Sequence, residues 1–339
     1  MPESQNEKEY REYMYTRDLR KTANGLGLVL MTMFFIEMLI YLVLDLWKSA
    51  DKEGFIAFFS ESDIPTMLFN GLLSVILFFA VCLIYVLLEK RSFSALFPIE
   101  KIGPKKLFML CTIGIAVSLT SNIAPNLLTE VFGLFGLSNS GGSISFGDTL
   151  PSILLYYLVV AVTPAFAEEF AFRGVVMGSL RKYSDGLALV VSSAAFALMH
   201  GNFVQIPFTF CCGLMFGFLV IKTNSILPSI IVHFLNNALS VTFDLLYQYK
   251  VLSTGMVNLC YGAIIAVTCG LALVFIRKFA KEDEGFFRLK GADDGIPYRK
   301  KLKTTAGSPF MICYAVLMIM YAIYQIIQPY LVAWGVSGN

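Results

Sequence analysis

Residues 150–182 read LPSILLYYLVVAVTPAFAEEFAFRGVVMGSLRK, and this stretch decides the fold class. Its first 18 residues carry no charge, and then Glu168, Glu169 and Arg173 follow inside the same apolar run. About 20 mainly apolar residues are needed to cross the hydrocarbon core of a bilayer as a helix. Ionisable side chains inside such a helix are costly and mark functional sites. The stretch therefore predicts a transmembrane helix and the position of a site within it.

The rest of the chain has the same character. Of its 339 residues, 57% are hydrophobic and only 15% are charged, and the mean hydropathy is +0.69. Soluble domains carry about 25% charged residues, so this class is excluded. We predict an all-α, polytopic membrane helical bundle of eight to nine transmembrane helices. The candidate spans lie at 25–46, 67–88, 107–128, 150–180, 186–201, 203–221, 226–248, 255–277 and 308–333.

Two of these segments depart from a simple span. The segment 186–201 is short, and with 203–221 it predicts a hairpin that turns inside the protein. The segment 150–180 is long and contains Pro164, which predicts a kink or a projection beyond the bilayer. A further helix break is predicted where Asn122 precedes Pro125.

The basic residues predict the topology. Of 26 Lys and Arg residues, 22 lie in segments on one predicted side of the membrane and three on the other, with Arg173 inside a span. Basic loops favour the cytoplasmic side, so we expect a cytoplasmic N-terminus and an odd number of crossings. The protein is then an integral, multi-pass membrane protein, in the plasma membrane if the chain is bacterial. The basic loops should contact membrane lipids, and no nucleic-acid partner is expected.

This topology divides the chain into four parts. The predicted parts are a cytoplasmic N-terminal segment at 1–24, N-terminal transmembrane helices at 25–149, a catalytic core at 150–248, and C-terminal transmembrane helices at 249–339 with a cytoplasmic linker near 278–307. The Ser/Gly-rich stretch 138–145 is predicted to be an outer loop.

The charged residues of the core fall into two groups. Glu169 and Arg173 are four residues apart, the spacing at which helical side chains meet, and are predicted to be a structural pair. Glu168 points about 100° away from Glu169 and lacks a local partner, so it is the candidate for chemistry. The only two histidines, His200 and His233, also lie in apolar segments.

Three short motifs carry a resemblance to a known family. They are Glu-Glu-x-x-x-Arg at 168–173, Phe-x-x-x-His at 196–200 and His-x-x-x-Asn at 233–237, in this order. The set resembles the three motifs of the CPBP family, the CAAX prenyl endopeptidase and bacteriocin-processing or immunity (Abi) family. The resemblance covers roughly residues 150–245. It implies an intramembrane endopeptidase that acts on a membrane-embedded or lipidated peptide or protein.

Peptide hydrolysis needs an activated water and hydrogen-bond donors for the developing oxyanion. Glu168 can serve as general base and share the water with His200, while His233 and Asn237, one turn apart, can donate to the oxyanion. The resemblance implies the same catalytic residues and roles. The supporting residues are predicted to be Glu169, Arg173 and Phe196.

Several alternatives stay open on the sequence. Zinc could be held by Glu168, His200 and His233, although Glu168 cannot readily be both ligand and base and no His-Glu-x-x-His motif is present. We favour chemistry without a metal or other cofactor. A proton-coupled transporter could use the same residues as a relay. A non-catalytic immunity or peptide-binding membrane protein would keep the scaffold alone.

Overall fold

The computed structural model describes residues 5–60, 63–137, 147–289, 291 and 294–333. Within these residues, eight helices are long and apolar enough to cross a membrane. We number them spans 1 to 8: Gln5–Ala50, Asp63–Leu88, Pro104–Leu134, Leu150–Arg181, Ile206–Thr223, Leu227–Gln248, Thr254–Glu282 and Pro309–Tyr330. The protein is an integral, multi-pass membrane protein built as a helical bundle. The predicted outer loop at 138–145 lies outside the described residues.

The predicted hairpin is confirmed. The short helix Asp185–Met199 follows span 4 and packs along span 5. The hairpin begins and ends at the same end of the bundle, because Arg181 contacts both Asp185 and Asn224 through its guanidinium. Its turn lies within the protein, where the side chain of Asn202 accepts a hydrogen bond from the Val204 amide at 2.9 Å.

The N-terminal segment and the first span share one helix. The segment 1–24 is predicted to be cytoplasmic, and from Gln5 it is part of a continuous helix that runs to Ala50. Hydropathy marks only the apolar part of a helix, whereas residues 5–24 contain no Gly or Pro and continue the same helix. Leu19 and Ala23 are fully buried, so this polar extension packs on the bundle. The predicted linker near 278–307 likewise contains a helix, Tyr298–Ala306.

The break in span 3 occurs where it was predicted. The helix Pro104–Ser121 ends at Asn122, and a second helix runs over Ile123–Leu134. Proline has no amide hydrogen, so Pro125 cannot donate to the carbonyl four residues earlier. The break leaves Asn122 at a bend facing the inside of the bundle.

Span 4 contains two π-helical segments, Leu158–Val162 and Glu169–Met177. Pro164 lies between them and cannot supply the usual α-helical hydrogen bond to the Val160 carbonyl. Widened turns of this kind are frequent at functional sites in helices. The irregularity predicted from Pro164 is therefore a change in helix type around the two glutamates.

Close packing holds span 4 in the middle of the bundle. Gly174 lies against the ring of Phe97, and a Cβ atom at this glycine would be 1.9 Å from the Phe97 Cε1 atom. The same ring stacks on Phe170 with centroids 4.5 Å apart. Phe172 and Met177 are fully buried. Span 4 is thus fixed on several sides, which positions the charged residues that it carries.

One end of the bundle collects the basic segments. Asn224 donates to Glu100 at 2.6 Å, and Lys182 pairs with Asp18 at 2.8 Å. These contacts join the ends of spans 1, 4 and 5 and the loop after span 2. We call this end, with Asp18, Glu100, Lys182 and Asn224, the basic face. Its cytoplasmic orientation remains a prediction from the charge distribution.

Candidate active site

A cavity of about 120 Å³ lies inside the bundle between spans 4, 5 and 6 and the short helix. The structure brings all four predicted catalytic side chains to its wall. The residues that line it are Pro164, Glu168, Phe196, His200, Phe208, Thr209, Cys212, Phe216, His233, Asn236 and Asn237. The deep hairpin turn is what allows His200 to reach the same space as Glu168.

The two adjacent glutamates of span 4 have different environments. Glu169 is fully buried, and its Oε1 atom lies 2.9 Å from Nη1 of Arg173, as the spacing predicts. The Glu168 side chain keeps 18% of its surface exposed and its Oε2 atom lies 3.7 Å from Nε2 of His233. Glu168 therefore presents a carboxylate to the cavity, whereas the Glu169 carboxylate binds another side chain of the protein.

Arg173 is the charged counterpart of this arrangement and is 1% exposed. Its guanidinium carbon lies 4.3 Å from the ring centre of Phe196 and 5.1 Å from that of Phe216. Its Nη2 atom donates to the Gly213 carbonyl at 3.4 Å. A buried charge is tolerated only when it is paired and hydrogen-bonded, and Phe196 contributes a cation–π contact to that pairing.

His233 is oriented by a contact that the sequence did not reveal. Its Nδ1 atom lies 3.0 Å from Oε1 of Glu169. A carboxylate accepts hydrogen bonds, so Nδ1 carries a hydrogen and Nε2 is directed to the cavity and Glu168. The ring also stacks on Phe216 with centroids 5.1 Å apart. Glu169 therefore supports Arg173 and His233 together, not Arg173 alone.

His200 is oriented by a backbone carbonyl instead of a carboxylate. Its Nδ1 atom lies 2.9 Å from the Phe196 carbonyl oxygen, which can only accept. Nδ1 is then the donor, and in the neutral ring Nε2 is an acceptor. Its ring also contacts Phe196 edge to face, with centroids 5.0 Å apart. The two histidines of the cavity thus both donate from Nδ1, to different partners, and direct Nε2 away from those partners.

Asn237 is fixed at both ends of its amide. Its Nδ2 atom donates to the Val160 carbonyl at 3.1 Å, and its Oδ1 atom accepts from Nδ2 of Asn236 at 3.1 Å. The Val160 carbonyl is the one that Pro164 cannot satisfy in the helix. A side-chain amide has two N–H groups, so one remains for a group in the cavity.

Two asparagines near the site were not predicted to contribute to it. Asn236 lines the cavity and is 6% exposed, and its Oδ1 atom accepts from Nδ2 of Asn122 at 3.4 Å. Asn122 was interpreted only as a helix-breaking residue. The Asn236–Asn237 doublet in an apolar span was the available signal for the first, while the second comes from a distant span and gives no local signal.

A zinc site needs several donor side chains arranged around one point. In the part of the chain that the structure describes, no group of three His, Cys, Asp or Glu side chains is arranged to hold a metal ion. Glu168, His200 and His233 share the cavity, but they do not form such a set. Metal-independent chemistry remains a prediction.

Comparisons with known proteins agree with the three motifs. Residues 150–239 match the family model described as type II CAAX prenyl endopeptidase Rce1-like. The chain is 31% identical over 128 residues to the membrane-embedded CAAX protease MroQ of Staphylococcus aureus (strain USA300), which covers 35% of this chain and 51% of MroQ.

A second relative is YdiL of Bacillus subtilis (strain 168), which is described as a membrane peptidase. It is 29% identical over 185 residues, which is 52% of this chain and 72% of YdiL. The chain thus spans about half the length of the first relative and more of the second. No solved structure matches the chain. The three motifs and the residues that line the cavity lie within residues 150–239, the part of the chain that is similar to the Rce1-like family model.

Proposed function

We propose that the protein is an intramembrane endopeptidase that hydrolyses a peptide bond with a water activated by Glu168. One observation carries the proposal: Glu168, His200, His233 and Asn237 come from three separate segments and face one cavity in an otherwise apolar bundle. Polar groups are expensive in such surroundings and are retained there for function. The Rce1-like match and the two relatives support peptidase chemistry.

The water is held by two acceptors. A water in the cavity donates one hydrogen bond to the Glu168 carboxylate and one to Nε2 of His200. Its lone pair is then free to attack the carbonyl carbon of the substrate while Glu168 takes the proton. General base catalysis of this kind contributes roughly 10²- to 10⁴-fold.

The oxyanion is stabilised by two side chains of span 6. Asn237 offers its remaining N–H, and His233 offers Nε2–H when the ring is protonated, since its Nδ1 hydrogen is already donated to Glu169. Glu168 then returns its proton to the leaving amine, and the products are a carboxylic acid and an amine.

The depth of the site suits a substrate held at the membrane surface. His233 is six residues into span 6, which starts at Leu227, so it lies about 9 Å from that end at 1.5 Å per residue. That end is the basic face. A polypeptide tethered to this side by a lipid or by its own helix could present a bond at this depth. The substrate class is therefore a lipidated or membrane-embedded polypeptide.

The test uses the purified full chain in liposomes. The substrates are a quenched fluorescent peptide with a farnesylated Cys-aliphatic-aliphatic-X end and a quenched single-span peptide. We expect Glu168→Ala and His233→Ala each to lose at least about 100-fold in cleavage rate. Glu130→Ala, at an exposed carboxylate of span 3, is the matched control and should keep full activity. Full activity in both site variants would rule out the assignment.

A further inference from the structure

We infer that Asn236 is a positioning residue that orients the oxyanion-binding amide of Asn237, and that spans 3 and 7 hold Asn236 in place through Asn122. The inference rests on the proposed function. It is carried by an uninterrupted chain of side-chain hydrogen bonds behind the cavity wall. Asn122 and the span 7 residue that binds it lie outside residues 150–239, the part that matches the Rce1-like family model.

The series of hydrogen bonds begins at Tyr261 in span 7. The hydroxyl of Tyr261 donates to the Leu119 carbonyl at 3.3 Å and accepts from Nδ2 of Asn122 at 2.9 Å. Asn122 also donates to Oδ1 of Asn236 at 3.4 Å. Asn236 then donates to Oδ1 of Asn237 at 3.1 Å. Every donor in the series meets an acceptor, so the amides have a consistent direction.

This direction matters because an amide has a donor end and an acceptor end. Asn237 can stabilise an oxyanion only if an N–H, and not its Oδ1 atom, points into the cavity. The Asn236 donor holds Oδ1 of Asn237 on the protein side, and the Val160 carbonyl accepts one of the two N–H groups. A rotated Asn237 would place an oxygen against the oxyanion and repel it.

The hydrogen-bond series starts at Tyr261, which gives span 7 a role in the site. Only 6% of the most apolar part of this helix is buried inside the bundle. It packs mainly along span 3, and Tyr261 places a hydroxyl at the bend where Asn122 interrupts that span. The helix break therefore creates an inward-facing amide that a continuous helix would not provide.

The decisive variant is Asn236→Asp, which keeps the size of the side chain and its acceptor but removes the donor. An ionised aspartate would attract Nδ2 of Asn237 and turn its oxygen to the cavity. We expect kcat to fall about 10- to 100-fold, with KM and the melting temperature little changed. Asn236→Ala removes the donor without attracting Nδ2, and we expect a smaller decrease in kcat.

The outer end of the hydrogen-bond series, at Asn122 and Tyr261, is tested separately. Asn122→Ala and Tyr261→Phe should each lower kcat about two- to fivefold, whereas Asn126→Ala, at an exposed asparagine one turn from Asn122, should leave it unchanged. Asn237→Ala is measured alongside and should lose about 10²- to 10³-fold.

The outcomes separate the two proposals. Cleavage that is lost in Asn237→Ala but unchanged in Asn236→Asp and Asn236→Ala would overturn the positioning role and leave the proposed function standing. A loss of activity that a lower melting temperature fully accounts for would also overturn it, since that indicates a packing role alone. Unaltered cleavage in Asn237→Ala, or no cleavage of either peptide by the wild type, would overturn the proposed function and this inference with it.

Discussion

Two regions of the molecule bury a cation beside a carboxylate, and they use it differently. In the cavity cluster, Arg173 pairs with Glu169 deep in the bundle. In a second network at the basic face, Lys301 is 3% exposed and pairs with Asp294 at 2.6 Å. The Lys301 ammonium also donates to the Tyr183 carbonyl at 3.0 Å.

The polar groups of the basic-face network bind one another. The Tyr183 hydroxyl donates to Asp18 at 2.7 Å and contacts Thr22 at 2.9 Å, and Lys301 lies 5.3 Å from the ring centre of Tyr15. These contacts connect span 1 with the turn after span 4 and with the helix before span 8. The network therefore works as a joint between segments of the chain.

The cavity cluster has ion pairs on its protein side and leaves polar atoms facing the cavity on the other. Glu169 binds both Arg173 and His233, while Glu168 and Nε2 of His233 face the cavity 3.7 Å apart. The comparison teaches that burial of a charge does not by itself indicate a catalytic site. The indication comes from polar atoms that stay available after all the structural partners have been assigned.

The largest effect is expected for Glu168→Gln. The amide cannot take a proton from water, so the cleavage rate should fall about 10²- to 10⁴-fold. The free energy of unfolding should change by less than about 1 kcal/mol, since the Glu168 side chain is 18% exposed and its contact with Nε2 of His233 is 3.7 Å long. Peptide cleavage and chemical denaturation in micelles measure the two quantities. A large loss of stability would place Glu168 with the structural carboxylates.

The next effect is expected for Glu169→Gln. This change leaves Arg173 buried without its counter-charge, which costs about 3–5 kcal/mol in the free energy of unfolding. His233 also loses the carboxylate that fixes its ring, so cleavage per folded molecule should fall as well. Denaturation curves of this variant and of Glu130→Gln give the measurement and its control. Equal stability of the two variants would contradict the role assigned to Glu169.

At the basic face, Lys301→Met should separate stability from catalysis. Methionine keeps much of the apolar stem but removes one donor from Asp294 and one from the Tyr183 carbonyl, at a cost of about 1–3 kcal/mol. Cleavage per folded molecule should match the wild type because the network does not reach the cavity. A reduced kcat in fully folded protein would show that the two regions are coupled.

The smallest effect concerns pH. Partial burial alone would raise the pKa of Asp294, but hydrogen bonds from Lys301 and the Ile296 amide outweigh it and lower the pKa below its ordinary value of 3.8. A carboxylate with a lowered folded-state pKa stabilises the fold above its unfolded pKa and loses that contribution as the pH falls through the folded value. We expect Asp294→Asn to cost about 1 kcal/mol or less at pH 7. The difference from the wild type should disappear well below pH 3.8, and denaturation at both pH values tests this.

The sequence could predict the features that depend on local spacing. Apolar runs marked the spans, and the four-residue spacing predicted the Glu169–Arg173 pair. The Pro125 break and the hairpin followed from residues close to them in the chain. By contrast, the contact of Glu169 with His233 joins spans 4 and 6, and no periodicity records which faces of two helices meet. The link from Asn122 to Asn236 was hidden for the same reason. The helical N-terminal extension was missed because hydropathy reports apolar surface, not helix length.

The carbonyl of Val160 has a consequence for when the protein becomes active. Its usual partner is missing because residue 164 is proline, and the amide that binds it belongs to span 6. Spans that have entered the bilayer but have not yet docked cannot make this bond, nor can they bring Glu168 and His200 together. We therefore expect newly inserted chains to be inert towards their neighbours in the membrane. The protein would become able to cleave a substrate only in the last step of tertiary assembly, when spans 4 and 6 and the hairpin close around the cavity.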